Sequence, residues 1–383
     1  MEHTRVMLED IFGDDLHLKR VRSLAGGVSG VLNATVASVA TIGRAYAKLQ
    51  GIETKSGIKQ IDRLLSNEGI ALDEVLELWV KFVVGDTPRF VVAIDWTDFD
   101  DDDHTTLCVS LMTTHGRATP LAWKTVKKST LKNRRTRYET EMVERLRAWI
   151  PEATSVTWLG DRAFGSQQMY EVLDRCGFDY VLRFRENILI HEGDGQPLRA
   201  SAYVPSNGRA LRVDEPVVTG SKYPLRAAVF VKRKGMKDAW CLATSLKDAK
   251  APDIVATYGR RFTIEETFRD TKDITFGLGL RATHIRNADR RDRLLLLIAI
   301  SQVLLTLLGA ASEASGLDRT LKANTVKTRT MSLINQGLYW YSCLATMREE
   351  WFTRLMTAYE SILQGHTFLA QVLLFNTPLS ADK

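Results

Sequence analysis

Cysteine and histidine are scarce and scattered in this 383-residue chain, and their scarcity excludes several classes of protein. The four cysteines show no C-x-x-C spacing, and the seven histidines form no cluster. A disulfide framework and a zinc site both need such groupings, so we expect neither. We interpret the cysteines as isolated reduced thiols of a cytoplasmic protein: Cys108, Cys176, Cys241 and Cys343.

Segments for export or membrane insertion are also lacking. The N-terminus carries acidic residues and no apolar stretch of the signal-peptide kind. Residues 294–308 are apolar enough to approach the length of a membrane span. However, Ser301, Gln302 and Thr306 interrupt this run, and three arginines crowd its amino end. We therefore predict a long helix buried behind a sheet and no membrane association, with a transmembrane segment as the alternative.

The composition is that of a globular protein with unevenly distributed positive charge. Hydrophobic residues make up 45% of the chain and charged residues 26%, and the length allows two or three domains. The net charge is +6, but residues 16–66 hold eight Lys or Arg against two acids, and residues 114–137 hold eight and no acid. Such clusters favour nucleic acid as a partner. A solvated basic surface is the alternative.

Hydrophobic patterns predict a helical amino-terminal region followed by an α/β region. Residues 1–75 read as helices, and two short ones around Gly51 could form a helix-turn-helix-like DNA reader carrying Lys55, Lys59 and Arg63. Runs rich in β-branched and aromatic residues then predict strands. We expect strands over 89–95, 105–112, 119–125, 155–160 and 179–185, with helices over 139–149 and 166–176.

Two of the predicted strands close on an aspartate. Asp95 follows the run from Arg89, and Asp161 follows the run from Ser155. Ligands and catalytic groups collect at strand ends in open α/β sheets. These aspartates are therefore candidate site residues, although aspartate is also common in ordinary turns. The acidic run over 98–103 has alternating side chains that do not converge easily, so we expect a solvated hairpin turn there.

The segment from residue 258 to residue 272 carries functional side chains at helical spacing. Tyr258, Arg261, Glu265 and Lys272 fall within about 60° of one another on an α-helix, and Arg269 lies beside them. A carboxylate there can bind a hard metal ion while the cations bind phosphates. A solvated helix face with mixed charges is the alternative reading.

These residues resemble those of a known family. The chain is similar to the DDE transposases of bacterial cut-and-paste insertion sequences, in the insertion sequence four family with its Y-x2-R-x3-E-x6-K signature. The matching stretches cover most of the chain: 16–20, 58–65, Ile94-Asp-Trp-Thr-Asp98, 258–272, 277–281 and Ala323-Asn-Thr-Val326.

The resemblance implies an α/β fold with an RNase H-like catalytic core, interrupted by an antiparallel β insertion and flanked by helical terminal regions. Between Asp161 and Glu265 lie 103 residues, too many for a loop. We expect a DNA-binding region over 1–75, the core over 87–185 and 251–317, the insertion over 186–250 and a helical carboxyl region over 318–383.

The resemblance also implies a mechanism. Asp95, Asp161 and Glu265 would bind two Mg²⁺ or Mn²⁺ ions, because three carboxylates without His or Cys suit hard cations. Two-metal phosphoryl transfer would then nick the transposon end, form and open a DNA hairpin, and join the end to target DNA. Tyr258, Arg261, Lys272 and Arg269 would contact phosphates. Trp240 would stack on a flipped base, or pack within the insertion as an ordinary core residue.

We expect double-stranded DNA, both terminal inverted repeats and target, as the partner of a protein that dimerises in the DNA-bound synaptic complex. Two rival functions stay open. One is a structure-specific nuclease on the same RNase H fold. The other is a non-catalytic, domesticated DNA-binding derivative, against which the presence of all three carboxylates argues.

Overall fold

The computed structural model describes residues 2–34, 36–113, 115–191, 196–219, 221–272, 279–280 and 283–364. Within these ranges the helices are α1 (Glu2–Phe12), α2 (Leu18–Asn33), α3 (Val39–Gln50), α4 (Thr54–Leu65), α5 (Leu72–Val84), α6 (Arg135–Trp149), α7 (Gln167–Arg175), α8 (Ala251–Gly259), α9 (Thr263–Lys272), α10 (Ala288–Ala314), α11 (Leu333–Cys343) and α12 (Glu349–Gln364).

The first five strands are β1 (Arg89–Phe99), β2 (His104–Leu111), β3 (Thr119–Lys127), β4 (Ser155–Gly160) and β5 (Asp179–Phe184). The later ones are β6 (Leu189–His191), β7 (Leu198–Arg199), β8 (Leu211–Asp214), β9 (Val217–Val218), β10 (Tyr223–Pro224), β11 (Ala227–Val231) and β12 (Trp240–Thr244). The predicted order of strands and helices from residue 89 to residue 185 is confirmed.

Eight strands form one mixed sheet in the order β3-β2-β1-β4-β5-β12-β11-β8. β4 runs parallel to β1 and to β5, and the remaining neighbours in this sheet are antiparallel. This large mixed sheet, with helices packed on it, is consistent with an RNase H-like core.

The strands between residues 189 and 244 pair antiparallel. β12, β11 and β8 extend the main sheet beyond β5, and a small sheet has the order β10-β9-β6-β7. Residues 192–195 of the expected insertion lie outside the described residues. The proposed domain boundaries stay a prediction.

The main sheet has a hydrophobic core on each face, because successive side chains of a strand point to opposite sides. Phe90, Val92 and Ile94 of β1 join the larger cluster, which includes α5, α6 and α10. Val91 and Ala93 join the smaller cluster, which includes α8 and α9. Asp95 shares the parity of Val91 and Ala93, so its side chain belongs to the face that α8 and α9 cover.

The apolar run around residues 294–308 forms α10, as predicted. Its most apolar window, 18 residues long, has a mean hydropathy of 2.4, so length and composition alone would allow a membrane span. However, 94% of that window is buried inside the fold. α10 packs against β3, α2, α11 and α12. The prediction of a buried helix is therefore confirmed, while the expected lack of membrane association stays a prediction.

The amino-terminal helices dock on α10. Two short helices around Gly51 are confirmed: α3 ends at Gln50, the following Gly51 has a left-handed φ of 64°, and α4 begins at Thr54. Arg290 of α10 donates to the Asp62 carboxylate at 2.6 Å, and Arg293 donates to the Leu65 carbonyl at 3.1 Å. These contacts fix α4 against the core.

Candidate active site

Asp95 of β1 lies next to the point where β4 ends and Asp161 follows. The parallel pairing of β1 and β4 runs up to Ile94 and Gly160, so Asp95 and Asp161 are the next residues along the two segments. Neighbouring strands lie about 4.7–4.9 Å apart. The charges of the two carboxylates interact, because Asp161 adds to the rise in the pKa of Asp95.

The expectation that Asp95 ends its strand was wrong. β1 continues to Phe99, because β2 keeps pairing with it from Asp95, opposite Cys108, to Phe99, opposite His104. Asp95 instead marks the point where the shorter strand β4 stops. The opening beside Asp95 is thus made by a neighbouring strand that ends, a non-local feature.

The Asp95 carboxylate is half-buried and electrostatically strained. Its Oδ1 accepts a hydrogen bond from the Trp96 backbone N–H at 2.8 Å. Burial raises the pKa of Asp95 to about 6; Arg261 opposes this rise, whereas Asp161 and Glu265 add to it. Asp161 is also partly buried, and its Oδ1 accepts from the Ala163 N–H at 2.8 Å. Negative charge is thus concentrated where it is poorly solvated.

The segment carrying the other candidates is two helices, which corrects the single continuous helix of the prediction. A 3₁₀ turn over Arg260–Phe262 separates α8 from α9. Gly259 lowers helix stability just before this turn, and the Thr263 hydroxyl donates to the Arg260 carbonyl at 3.0 Å. Three residues per turn rotate the chain faster than an α-helix does. Tyr258 in α8 and Arg261 in the 3₁₀ turn are both buried.

Arg261 joins two of the three predicted carboxylates. Its guanidinium lies 3.5 Å from Asp95 Oδ2 and 2.9 Å from Glu265 Oε1. The Arg261 side chain is 8% exposed, whereas that of Glu265 is 53% exposed. Thr267 holds α9 in place, since its hydroxyl donates to the Ala118 carbonyl at 3.1 Å and accepts from the Ala118 N–H at 2.8 Å.

The three carboxylates, Asp95, Asp161 and Glu265, are chemically suited to a hard divalent cation, but their side chains are not gathered around one point. In the described part of the chain, no three His, Cys, Asp or Glu side chains form a group that could hold a metal ion. Asp95 and Asp161 offer carboxylate oxygens, the ligands that Mg²⁺ and Mn²⁺ prefer. Glu265 reaches Asp95 only through Arg261 and would have to leave it to become a third ligand.

Aromatic side chains surround the buried end of α8. The Trp240 ring is half-buried and meets the Tyr258 ring edge-on, with centroids 4.8 Å apart. The exposed Phe262 stacks on Trp240 at 5.9 Å. Burial raises the pKa of Tyr258, whose side chain is 1% exposed. The predicted phosphate contact of Tyr258 and the base-stacking role of Trp240 stay predictions.

The remaining predicted contacts fall into two places. Arg269 is exposed on α9 and pairs with Glu266. Lys272 ends α9, but its side chain lies outside the described residues, as do most positions of the 277–281 motif. Lys55, Lys59 and Arg63 are exposed along one side of α4, on different elements from those that carry the carboxylates.

Sequence reasoning missed a buried fourth carboxylate near the site. Glu139 of α6 is 5% exposed and accepts a hydrogen bond from the Trp96 indole N–H at 2.8 Å. Burial raises the pKa of Glu139, and the charge of Asp161 contributes to the rise. Arg135 lies over the Trp96 ring, 5.4 Å from its centroid. The only sequence signal for this cluster is Trp96, the aromatic residue directly after Asp95.

The acidic run over 98–103 begins in the last residues of β1 and forms the β1–β2 turn from Asp100 to Asp103, as expected, but it is not wholly solvated. The Asp102 side chain is almost fully buried and pairs with Arg291 of α10, while its neighbours Asp100 and Asp101 are exposed. Arg291 also lies over the Phe99 ring at 4.1 Å. This turn therefore serves to attach α10 to the sheet.

Comparison with known proteins agrees with this geometry. The family described as "Transposase DDE domain" matches residues 91–304, more than half of the chain and a span that includes Asp95, Asp161 and Glu265. A search of curated proteins found no match. The large mixed sheet and the carboxylates on its α9 face suit such a domain, which acts on DNA and in this family generally with divalent metal ions. The chain therefore belongs to the transposase DDE domain family.

Proposed function

We propose that this protein is a cut-and-paste DNA transposase that cleaves and joins the ends of an insertion sequence by two-metal phosphoryl transfer. One observation carries the proposal: Asp95 lies next to the end of β4, which Asp161 directly follows, and Arg261 links Asp95 to Glu265 of α9. The family match supports a transposase in general terms.

The three carboxylates would hold two Mg²⁺ or Mn²⁺ ions. When bound, such ions supply the charge that activates an attacking oxygen and stabilises a leaving oxygen on phosphorus. The half-burial of Asp95 keeps competing water away from this charge. Arg261 is held by its two carboxylate partners and would place its own positive charge beside the reacting phosphate. Glu265 is exposed, so its side chain is free to turn away from Arg261.

The surrounding side chains would bind the DNA end. Arg261, Arg269, Lys272 and Tyr258 supply hydrogen-bond donors for phosphates, and Trp240 with Phe262 supplies aromatic rings for an unstacked base. Nicking would expose a 3′-hydroxyl that forms a DNA hairpin, which is then opened and joined to target DNA.

The Y-x2-R-x3-E-x6-K spacing supports a place in the insertion sequence four family, near the transposase of the tetracycline-resistance composite transposon. We propose that the protein acts in the cytoplasm, on the nucleoid. We propose further that two copies pair in the synaptic complex, and that residues 16–66 read the terminal repeat.

The test is a cleavage assay with duplex DNA carrying the inverted repeat that flanks the gene. Asp95→Asn, Asp161→Asn and Glu265→Gln should each abolish Mg²⁺-dependent nicking and leave end binding largely intact, because an amide binds cations poorly. The matched controls are Asp101→Asn, on the turn that follows β1, and Glu266→Gln, next to Glu265 on α9. They should nick at close to the wild-type rate.

Near wild-type nicking by any one of the three variants would remove that residue from the metal site. A second assay separates the rival functions. A transposase joins pre-cut ends to plasmid DNA, a structure-specific nuclease cuts but does not join, and a non-catalytic derivative binds ends without nicking them.

A further inference from the structure

The connection between β11 and β12, residues 232–239, carries a dense group of cations and is named the basic loop here. Lys232, Arg233, Lys234 and Lys237 are all exposed. Gly235 has a φ of 90°, and the Met236 N–H donates to the Arg233 carbonyl at 3.1 Å to close the turn. Within the described ranges, none of the four cations forms an ion pair. The turn thus presents its positive charge to solvent.

A cleft of about 580 Å³ lies against this loop. Its other wall is the segment that precedes β8, where Ser206 and Asn207 contribute polar side chains and Gly208 adopts a φ of 73°. Its charged lining residues are Glu186, Lys232, Arg233 and Lys234. Three cations face one carboxylate there, so the cleft attracts anions.

The basic loop is tied to the strand end that carries Asp161. Asp238, near the end of the loop, lies 3.9 Å from Arg162 and 3.7 Å from Arg183 of β5. Arg183 also donates to the Ala239 carbonyl at 2.9 Å. The next residue, Trp240, contacts Tyr258. A short chain of contacts therefore joins the loop to the catalytic carboxylate next to Arg162.

We propose that the basic loop and its cleft bind the phosphate backbone of the DNA next to the bond that is cleaved. This inference rests on the proposed function, because that function makes DNA the ligand. The charge favours a polyanion, the cleft is open at the surface so that a continuous chain can cross it, and the Asp238 contacts place it beside the site. Ser206 and Asn207 add neutral donors of the kind that position phosphates.

The test compares two triple variants that lose the same number of charges. Lys232→Gln, Arg233→Gln and Lys234→Gln together remove the cations of the cleft. Lys81→Gln, Arg145→Gln and Arg175→Gln together remove cations that are each already paired with a carboxylate on a helix. Both variants lose three positive charges, so the change in net charge is matched and only the position of the lost charges differs.

Binding is measured on the inverted-repeat duplex between about 50 and 200 mM salt. The slope of log affinity against log salt should fall by about 3 in the loop variant, and by about 1 or less in the control, since each lost phosphate contact removes about 0.9. Phosphate ethylation should interfere with wild-type binding near the cleavage point and lose that effect in the loop variant. Melting temperatures verify that both variants fold.

Equal slopes and equal interference patterns in the two variants would overturn the inference, whether or not the protein cleaves DNA. If the wild-type protein fails to cleave but the loop variant still loses its slope and its interference pattern, the proposed chemistry falls while the DNA site on the basic loop stands.

Discussion

At the scale of single residues, the proton on Asp95 controls what the site can bind. Burial raises the pKa of this carboxyl from 3.8 to about 6, and the neighbouring acids add to the rise. Ionisation of Asp95 therefore lowers the free energy of unfolding of the metal-free protein. This destabilisation is absent below the pKa of the unfolded state and complete above the pKa of the folded state. A divalent ion offsets this cost, so ion binding and proton release are linked.

We therefore expect the affinity of the DNA-free protein for Mn²⁺ to rise with pH, most steeply around pH 6. Calorimetric titration between about pH 5 and pH 8 measures this, and proton release should fall to nearly zero at the upper end. In Asp95→Asn the rise around pH 6 should be missing along with most of the affinity. An affinity that is constant over this range in the wild-type protein would contradict the assignment of Asp95 as a ligand.

Trp240 offers a second test on one side chain. If its ring holds an extruded base, Trp240→Ala should slow DNA hairpin formation by about 5- to 150-fold, which corresponds to a stacking loss of about 1–3 kcal/mol. The first nick leaves the duplex stacked and should proceed as before, so nicked ends should accumulate on a denaturing gel.

Trp240→Phe is the matched control, because it keeps an aromatic face beside Phe262 and Tyr258. It should restore most of the hairpin yield. If nicking, end binding and hairpin formation all fall together in Trp240→Ala, the ring serves to pack β12 against α8 and the base-stacking role belongs to another residue.

At the scale of helices and strands, local sequence patterns predicted most elements. They failed where contacts with a neighbouring element determine where a strand or helix ends. Strands β1 to β5 follow from runs of β-branched residues, which favour extended structure on their own. The true end of β1 depends on its pairing with β2, and no residue near Asp95 reports that pairing. Likewise, the 3₁₀ turn over Arg260–Phe262 separates α8 from α9, and helical periodicity does not reveal this break.

The crossing of α3 and α4 depends on two glycines. A Cβ on Gly43 would overlap the Ile58 backbone, and a Cβ on Gly57 would overlap the Gly43 carbonyl. By contrast, a Cβ on Gly51 would meet nothing within 4 Å, and its cost arises from the positive φ of 64° alone. Gly43 and Gly57 are therefore needed for the close packing of α3 against α4, whereas Gly51 is needed only for the backbone conformation of the turn.

We expect Gly43→Ala to push α4 away from α3 and to lower the preference for the terminal repeat over random duplex by tenfold or more. Gly51→Ala should cost about 1–2 kcal/mol of unfolding free energy and keep that preference. Denaturant unfolding and competition binding measure the two effects. Equal preference in the two variants would show that the α3–α4 crossing does not set DNA recognition.

At the scale of the whole molecule, the amino-terminal helices share the main core. Leu8 and Phe12 of α1 and Ile362 of α12 belong to one hydrophobic cluster, and a Cβ on Gly27 would press on Leu64 and Leu297. The DNA-binding region over 1–75 stays a prediction. Its packing against α10 could not be foreseen from the sequence, because an apolar helix face does not indicate which element will cover it. Removing residues 1–74 would therefore expose α10 and destabilise the main core as well as remove the DNA-binding helices.

The DNA-reading role of this region is therefore better tested by point changes on α4. Lys55, Lys59 and Arg63 are exposed four residues apart, so they line one side of the helix without supporting the core. Replacing all three with glutamine should lower the preference for the terminal repeat over random duplex, because a base-edge contact discriminates by about 1–3 kcal/mol. Competition binding at fixed salt measures the preference.

The Lys81, Arg145 and Arg175 triple variant again serves as the control for net charge. It should weaken binding to both duplexes by the same small factor. If the α4 variant also weakens both equally, its cations contact only phosphates, and sequence reading belongs to another surface. A different result is that the α4 variant loses its preference for the terminal repeat while its melting temperature and its rate of nicking on saturating DNA stay unchanged. That result would assign sequence recognition to α4 and catalysis to the sheet. The two would then be joined by the ion pair of Asp62 with Arg290.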